Sequence, residues 1–198
     1  TIANLLDLPN KVVVNLDTQN TKNSNYSDTL NYLELKQEYG ININETIELL
    51  KEEGKEWIVF DTPGNISEEL LEVIDKIDYV IVPFTKGKRS RETTIDSINS
   101  LVEIMDNDNV RFALILNMYQ DEKDIDEELR PIEDEAREIL QDKLKCGIGL
   151  KFSKAVSTIE KEQKSIDELD LTNKIAYKAF KKRVNEMNKQ LKECLFKI

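Results

Sequence analysis

The chain has 198 residues, of which 39% are hydrophobic and 34% are charged, and its formal net charge is −11. A chain of this length predicts a single domain, here residues 1–198, with room for a sizeable core. No stretch approaches the roughly 18 apolar residues that a membrane span requires, so we expect neither an integral membrane protein nor a signal peptide.

Histidine and cysteine usage limits the available chemistry. Histidine is absent, which excludes Ser–His and Cys–His nucleophile pairs and the two-histidine metal motifs. The two cysteines, Cys146 and Cys194, cannot form a zinc site alone, and their wide spacing predicts reduced thiols in a cytoplasmic protein. Catalysis would therefore depend on carboxylates, amides, hydroxyls, lysines or a bound metal.

The first half of the chain predicts two buried strands with helices between and after them. In chain order we expect a strand at 11–17, a weak helix at 30–35, a helix at 44–50, a strand at 57–61 and a helix from Ser67. The polar stretch at 18–27 predicts a loop. The predicted apolar face of the helix from Ser67 consists of Leu70, Leu71, Ile74 and Ile77.

The second half continues the alternation of strands and helices. We expect a strand at 79–83, a helix at 90–105, a strand at 112–117, an acidic helical segment at 121–143 that restarts at Pro131, a short strand at 146–152 and a long amphipathic helix at 173–197. The predicted apolar stripe of the last helix consists of Ile175, Phe180, Val184, Met187, Leu191 and Cys194 or Leu195.

The apolar strands show no alternation of polar residues, and helices separate them. This pattern is typical of an α/β fold with a mainly parallel twisted sheet covered by helices on both faces, a three-layer arrangement. In such sheets ligands bind at the carboxyl ends of the strands.

Three predicted strands end in polar residues, namely Asp17, Asp61 and Asn117. A carboxylate at the tip of an apolar strand is suited to hold Mg²⁺, usually through water, in a nucleotide hydrolase. Gly64, the last residue of an Asp-Thr-Pro-Gly turn, would let a backbone N–H approach a phosphate closely. Each aspartate alone could equally be a helix cap or a turn former.

Four segments together resemble the ParA family of partition ATPases, within the ParA/MinD group of deviant P-loop proteins. The segments are Val-Val-Val-Asn-Leu-Asp-Thr-Gln-Asn at 12–20, Ile-Val-Phe-Asp-Thr-Pro-Gly at 58–64, Tyr-Val-Ile-Val-Pro-Phe-Thr at 79–85 and Leu-Ile-Leu-Asn at 114–117. The likeness covers residues 11–120 well and the C-terminal third loosely. It implies a P-loop NTPase-like fold, ATP and Mg²⁺ as cofactors, and a homodimer closed over the nucleotides.

The resemblance also implies a role for each strand-end residue. Asp17 would be the catalytic residue that orients the attacking water, and Asp61 would lie on the Mg²⁺ shell. Thr62 and Gly64 would belong to the second switch region, and Asn117 would contact the adenine.

Two departures from the family pattern concern the phosphate site. Asn15 stands where the family has the first aspartate of Asp-x-Asp; its amide can still bond a metal-bound water but carries no charge. No Gly-x-x-x-x-Gly-Lys-Ser/Thr loop occurs in the sequence, although such a loop supplies the N–H cradle and the lysine for phosphates. Residues before Thr1 could carry the loop, or the protein could be a degenerate binding module that does not hydrolyse ATP. We favour the first explanation because the strand before the loop is central in this fold, and without it the strands at Lys11 and Trp57 would lack a neighbour.

The C-terminal helix, about 173–198, is basic in an otherwise acidic chain. Residues 171–198 hold eight basic and two acidic side chains. By resemblance this helix would bind nonspecific DNA. An ordinary solvated face is an alternative, and so is a membrane surface as in MinD-like relatives, which we consider unlikely because the core needs the apolar stripe. The predicted DNA-binding residues are Lys174, Lys178, Lys181, Lys182 and Arg183.

Two other charged segments carry weaker predictions. The basic loop Lys-Gly-Lys-Arg-Ser-Arg at 86–91 could face phosphates or DNA, or simply be solvated. The eleven acidic residues between 121 and 142 are expected to form a solvated helix face.

The sequence thus predicts a ParA-like ATPase for plasmid or chromosome partition, which is cytoplasmic and associated with the nucleoid. A ParB-like centromere-binding adaptor would stimulate hydrolysis. A GTPase is disfavoured because Met118, Tyr119 and Gln120 follow Asn117 where a guanine-reading motif needs Lys-x-Asp.

Overall fold

A computed structural model describes residues 2–16, 32–34, 42–62, 68–151, 153 and 175–197. The chain divides into two compact units by its internal contacts. Unit 1 comprises Thr1–Ile74 and Ala155–Tyr177, and unit 2 comprises Asp75–Lys154 and Lys178–Ile198. The expectation of a single domain over residues 1–198 stays a prediction.

Unit 1 contains a three-stranded sheet in the order β2-β1-β3, formed by β1 (Lys11–Asn15), β2 (Tyr32–Glu34) and β3 (Trp57–Asp61). Both strand pairs are parallel. Three consecutive valines make β1 the buried centre of this sheet, with Val13 fully inaccessible to solvent. The strands predicted at 11–17 and 57–61 are therefore found, and each is the other's neighbour, contrary to our expectation that they would lack one.

The prediction of a weak helix at 30–35 is wrong at its centre, because Tyr32–Glu34 is a strand. Its backbone pairs with Val13, Val14 and Asn15 of β1. Pairing with a buried parallel strand satisfies backbone groups on both sides, and that tertiary contribution outweighs a weak helical spacing of leucines.

Three helices accompany the sheet of unit 1: α1 (Ile2–Leu5), α2 (Ile43–Glu52) and α3 (Glu68–Val73). The Asn42 side chain caps α2 by accepting from the Asn44 N–H at 2.9 Å. Lys11 donates to the carbonyl oxygens of Ala3 and Leu6, at the end of α1, and burial lowers the pKa of this lysine to about 8. Leu70 and Ile74 are buried as predicted, whereas Leu71 is exposed.

Unit 2 contains a second parallel sheet in the order β4-β5-β6, formed by β4 (Tyr79–Phe84), β5 (Arg111–Tyr119) and β6 (Leu144–Lys151). Five consecutive side chains of β5, Phe112 through Leu116, are inaccessible to solvent. This burial is the reason that β5 lacks alternating polarity. The three strands lie within two or three residues of their predicted bounds.

The helices of unit 2 are α4 (Lys88–Ile104), α5 (Arg130–Leu140) and α6 (Ile175–Leu191), the last beginning three residues before the unit boundary. Gly87 precedes α4 with φ 119°, a conformation that L side chains rarely adopt. The π-helical turn Ile125–Leu129 leads into α5, which restarts near Pro131 as predicted, and a second π-helical turn, Lys192–Phe196, follows α6.

The apolar stripe predicted for the C-terminal helix forms the buried side of α6 and its last turn, except at one position. Ile175, the first described residue of α6, is 86% exposed. The other members of the stripe that are buried are Phe180, Val184, Met187, Leu191 and Leu195. None of the described helices is long and apolar enough to cross a membrane.

Candidate functional site

Asn15 and Asp61 are paired at the carboxyl ends of two adjacent strands in unit 1. The parallel register of β1 and β3 runs from Lys11 opposite Trp57 to Asn15 opposite Asp61. The Leu16 N–H donates to the Asp61 carbonyl oxygen at 2.9 Å, which extends the pairing by one bond beyond Asn15. Side chains at matched positions of parallel neighbours project from the same face of a sheet, so the amide and the carboxylate lie side by side.

The chemistry of this pair suits a magnesium shell. Asn15 is buried, with 3% of its surface exposed, and Asp61 is half-buried. Both present oxygen atoms, the ligand type that Mg²⁺ prefers, and Mg²⁺ usually retains several waters in nucleotide sites. Within the described ranges no group of three His, Cys, Asp or Glu side chains could hold a metal ion directly. One amide and one carboxylate at neighbouring strand ends fit a magnesium ion that keeps most of its water shell.

The other predicted residues of this edge are only partly described. Thr62 follows Asp61 directly and is exposed. Asp17 and Gly64 lie outside the described residues, so their convergence on the phosphate site stays a prediction.

Asn117 lies in unit 2, half-buried near the carboxyl end of β5 and opposite Leu150 of β6. The pairing of β5 with β6 shifts register between Asn117 and Tyr119. Met118, in the middle of this irregularity, has φ 61° and is 38% exposed. Non-glycine residues rarely adopt positive φ, and such bulges redirect side chains at strand ends.

An ion pair between an exposed lysine and a buried aspartate joins the loops that follow β4 and β5, and the sequence did not reveal it. Lys86 Nζ lies 2.7 Å from Asp124 Oδ1, and the Asp124 side chain is only 1% exposed. Asp124 Oδ2 accepts from the N–H groups of Gln120 and Asp121 at 3.0 and 3.1 Å. The hydrogen bond from Lys86, followed by those from the two backbone N–H groups, lowers the pKa of Asp124 to about 2.

This pair bears on two expectations. Lys86 belongs to the basic loop that we expected to be solvated or to face phosphate or DNA, and its side chain is exposed while it also pairs with a carboxylate. Asp124 belongs to the acidic stretch expected to be a solvated helix face, yet it is buried because it satisfies backbone N–H groups at the start of that stretch. Nothing in the sequence distinguishes Asp124 from the other acidic residues of this stretch, so its burial could not be predicted.

A second polar cluster lies at the ends of β5 and β6. Lys151 Nζ lies 2.8 Å from Glu122 Oε1 and 5.6 Å from the centre of the Tyr119 ring. The hydrogen bond with Glu122 raises the pKa of Lys151, and the same bond lowers the pKa of Glu122. Burial is the main cause that raises the pKa of Tyr119, and the charge of Arg183 opposes this. Arg183 is thus close enough to this cluster to influence its titration.

The predicted DNA-binding residues lie on α6, except Lys174, which is outside the described residues. Lys178 and Lys182 are exposed, while Lys181 and Arg183 are half-buried. The apolar side of the same helix is buried in unit 2. The helix therefore presents cations to solvent while its opposite side packs, an arrangement that serves the DNA-binding prediction and the solvated-face alternative equally.

Cys146 and Cys194 form a disulfide, with Cα atoms 6.3 Å apart. The prediction of two reduced thiols is wrong for this structure. The cysteines are 48 residues apart, and sequence spacing carries no information about proximity when a helix returns to a sheet from a distant part of the chain.

Comparisons with solved structures identify the class of fold. The MinD cell division protein of Aquifex aeolicus matches with a TM-score of 0.56 and 15% identity, over 90% of this chain and 84% of that chain. The MinC:MinD cell division protein complex of Aquifex aeolicus matches with a TM-score of 0.54 and 13% identity, over 90% of this chain and 82% of that chain. No protein-family model and no curated protein sequence matches the chain.

These matches confirm the predicted α/β class, which has parallel strands and a likeness to P-loop NTPases. One of the two named neighbours is a MinD cell division protein, and the other is a MinC:MinD complex. At such low identity the likeness concerns the fold alone.

Proposed function

We propose that this protein is a Mg²⁺-dependent ATPase of the ParA/MinD type. The pairing of Asn15 with Asp61 carries the proposal. Two oxygen-bearing side chains stand at the carboxyl ends of adjacent parallel strands, where α/β proteins bind ligands, in a fold shared with MinD. A degenerate protein that binds partners without hydrolysing ATP is the alternative that the test below distinguishes.

In this proposal each predicted site residue has a separate role. Asp61 and Asn15 would hold the water shell of Mg²⁺, and Thr62 and Gly64 would lie beside the phosphates. When bound, Mg²⁺ neutralises charge on the phosphate oxygens. Asp17 would accept a hydrogen bond from the attacking water and orient it. The adenine contact that the resemblance implies for Asn117, which lies in unit 2, stays a prediction.

The cellular role that we propose is partition of a plasmid or chromosome by a nucleotide-dependent homodimer in the cytoplasm, associated with the nucleoid. The basic residues of α6, of which Lys178 and Lys182 are exposed, support nonspecific binding to DNA phosphates. A ParB-like adaptor on the cargo DNA would stimulate hydrolysis.

A second candidate is a MinD-like ATPase that acts at a membrane surface with a protein partner. The two solved structures named above support it, since one is a MinD cell division protein and the other is a MinC:MinD complex. The exposed basic residues of α6, Lys178 and Lys182 among them, would provide the contact with an anionic membrane surface.

The experiment that tests the ATPase compares the wild-type chain with Asp17→Ala and, as a control, with Asp75→Ala at an exposed position. ATP affinity is measured by titration with Mg²⁺ present, and hydrolysis by phosphate release. We expect Asp17→Ala to keep the affinity within about threefold and to lose about 100-fold or more in turnover, since only the positioning of water is removed. The control should match the wild type.

Two results would contradict the proposal. A wild-type chain that binds ATP without turnover would identify the degenerate binding module. Equal turnover in wild type and Asp17→Ala would remove Asp17 from the mechanism.

A further inference from the structure

The disulfide between Cys146 and Cys194 joins the two stretches of chain that make up unit 2. Cys146 lies in β6, within Asp75–Lys154, and Cys194 lies in the turn Lys192–Phe196, within Lys178–Ile198. The bond therefore links the C-terminal turn covalently to strand β6 of the sheet.

Noncovalent contacts hold the same turn against the sheet. The Phe196 ring meets the Tyr79 ring edge-on, with centres 5.1 Å apart. Arg111 Nη1 donates to the Leu195 carbonyl oxygen at 3.5 Å. Leu195 and Phe196 are buried. Because these contacts reach β4 and β5, they hold the turn against the sheet independently of the covalent bond to β6.

Both cysteines are half-buried, whereas the apolar residues beside Cys194 are buried. A small thiol can reach a half-buried disulfide without unfolding of the surrounding core. Accessibility of the bond and redundancy of the other contacts are the two properties that a reversible link requires.

We propose that Cys146 and Cys194 form a redox-reversible clamp that fastens the C-terminal turn to the sheet of unit 2. This inference does not depend on the proposed ATPase. In the oxidised protein the turn is fixed, and in the reduced protein unit 2 stays folded while the turn opens more often. The regulated element is thus the end of the helix that carries the basic residues.

The co-reactant that we name is a low-molecular-weight disulfide such as oxidised glutathione. One cysteine thiolate attacks it, forms a mixed disulfide and releases one glutathione. The second cysteine thiolate attacks the protein sulfur of that mixed disulfide and releases the second glutathione. The two cysteines together lose two electrons and two protons, and oxidised glutathione gains them.

The experiment equilibrates the folded chain in glutathione buffers of increasing reducing strength. Free thiols are trapped with iodoacetamide and counted by intact mass, and hydrogen exchange is measured for residues 192–197 in each state. We expect the number of trapped thiols to rise from none to two as the buffer is made more reducing. On reoxidation the number should fall back to none. Reduction should lower the Tm by about 10 °C, since a loop of this length loses its cross-link.

The double variant Cys146→Ser, Cys194→Ser provides the control, and its Tm and exchange should not respond to the buffer. Two free thiols at every glutathione ratio would overturn the proposal. A bond that can be reduced only after global unfolding would also overturn it, as would exchange at 192–197 that is the same in both redox states.

Discussion

Asn15 and Asp61 are the last register partners of β1 and β3, so an amide stands beside a carboxylate at the carboxyl edge of a parallel sheet. Asn15 is buried and Asp61 is half-buried. An amide at position 15 adds no negative charge beside Asp61, whereas a second carboxylate there would repel it. The pair therefore tolerates the absence of a metal better than two aspartates would.

This relationship predicts the behaviour of Asn15→Asp. Without Mg²⁺ the new carboxylate would stand in a buried position beside Asp61, so we expect a lower Tm in EDTA. Mg²⁺ should restore most of the loss and bind about tenfold more tightly than in the wild type, because a negative charge is added next to the ion. Calorimetric titration and thermal unfolding measure both effects.

The matched control is Asn99→Asp on the exposed face of α4, which adds the same charge elsewhere. A loss of stability in Asn15→Asp that Mg²⁺ does not reverse would argue against a metal at this edge.

Charge reversal at Lys181, Lys182 and Arg183 tests the DNA-binding prediction for α6. We expect nonspecific DNA affinity to fall by about tenfold or more near 0.1 M salt. The slope of log affinity against log salt should fall by about one for each lost phosphate contact. The control reverses Lys51, Lys76 and Lys123, which are exposed on other elements. An equal loss of DNA affinity in both triple variants would indicate that the basic side of α6 is an ordinary solvated face.

The ion pair between Lys86 and Asp124 predicts a pH-dependent contribution to stability. The folded pKa of Asp124 is about 2, below the ordinary value near 3.9. Because the unfolded chain binds the proton more readily, the contribution is complete above about pH 5 and is lost as the pH falls toward 2.

Asp124→Asn should accordingly unfold at a lower urea concentration than the wild type at pH 7, and the difference should shrink as the pH falls from about 5 toward 2. Asp126→Asn, at an exposed position in the same stretch, should show little difference at any pH. A constant difference for Asp124→Asn across this range would mean that shape, and not charge, makes Asp124 important.

Gly149 lies where β6 passes beneath Tyr119 and Ile125. A Cβ added there would stand 2.8 Å from Tyr119 Cε1 and would also press against the Ile125 side chain. We expect Gly149→Ala to destabilise unit 2 by about 1–3 kcal/mol, because the ring and the isoleucine must both move. Chemical denaturation measures the difference.

The control for this prediction is Gly147→Ala, two residues earlier in the same strand. Its nearest neighbour would be Glu133 Oε2 at 2.9 Å, the end of a flexible side chain. A smaller loss is expected there, and an equal or larger loss would contradict the assigned role of the Tyr119 ring.

Much of the site could be read from local sequence because strand ends and apolar runs are local features. Asp61 ends its strand and Asn117 lies near the carboxyl end of β5, and Asn15 lies beside Asp61 as a parallel sheet requires. The Lys86–Asp124 pair could not be read in this way, since its members are 38 residues apart and neither differs from its charged neighbours in type.

The sequence by itself determined the alternation of strands and helices, the parallel class of the sheets and the buried side of α6, because hydrophobic periodicity reflects which faces leave water. Tertiary structure decided the rest: that Tyr32–Glu34 is a strand, that Asp124 turns inward, and that Cys146 meets Cys194. These outcomes depend on partners supplied by distant parts of the chain, and free energy gained from pairing across space leaves no periodic signal along the sequence.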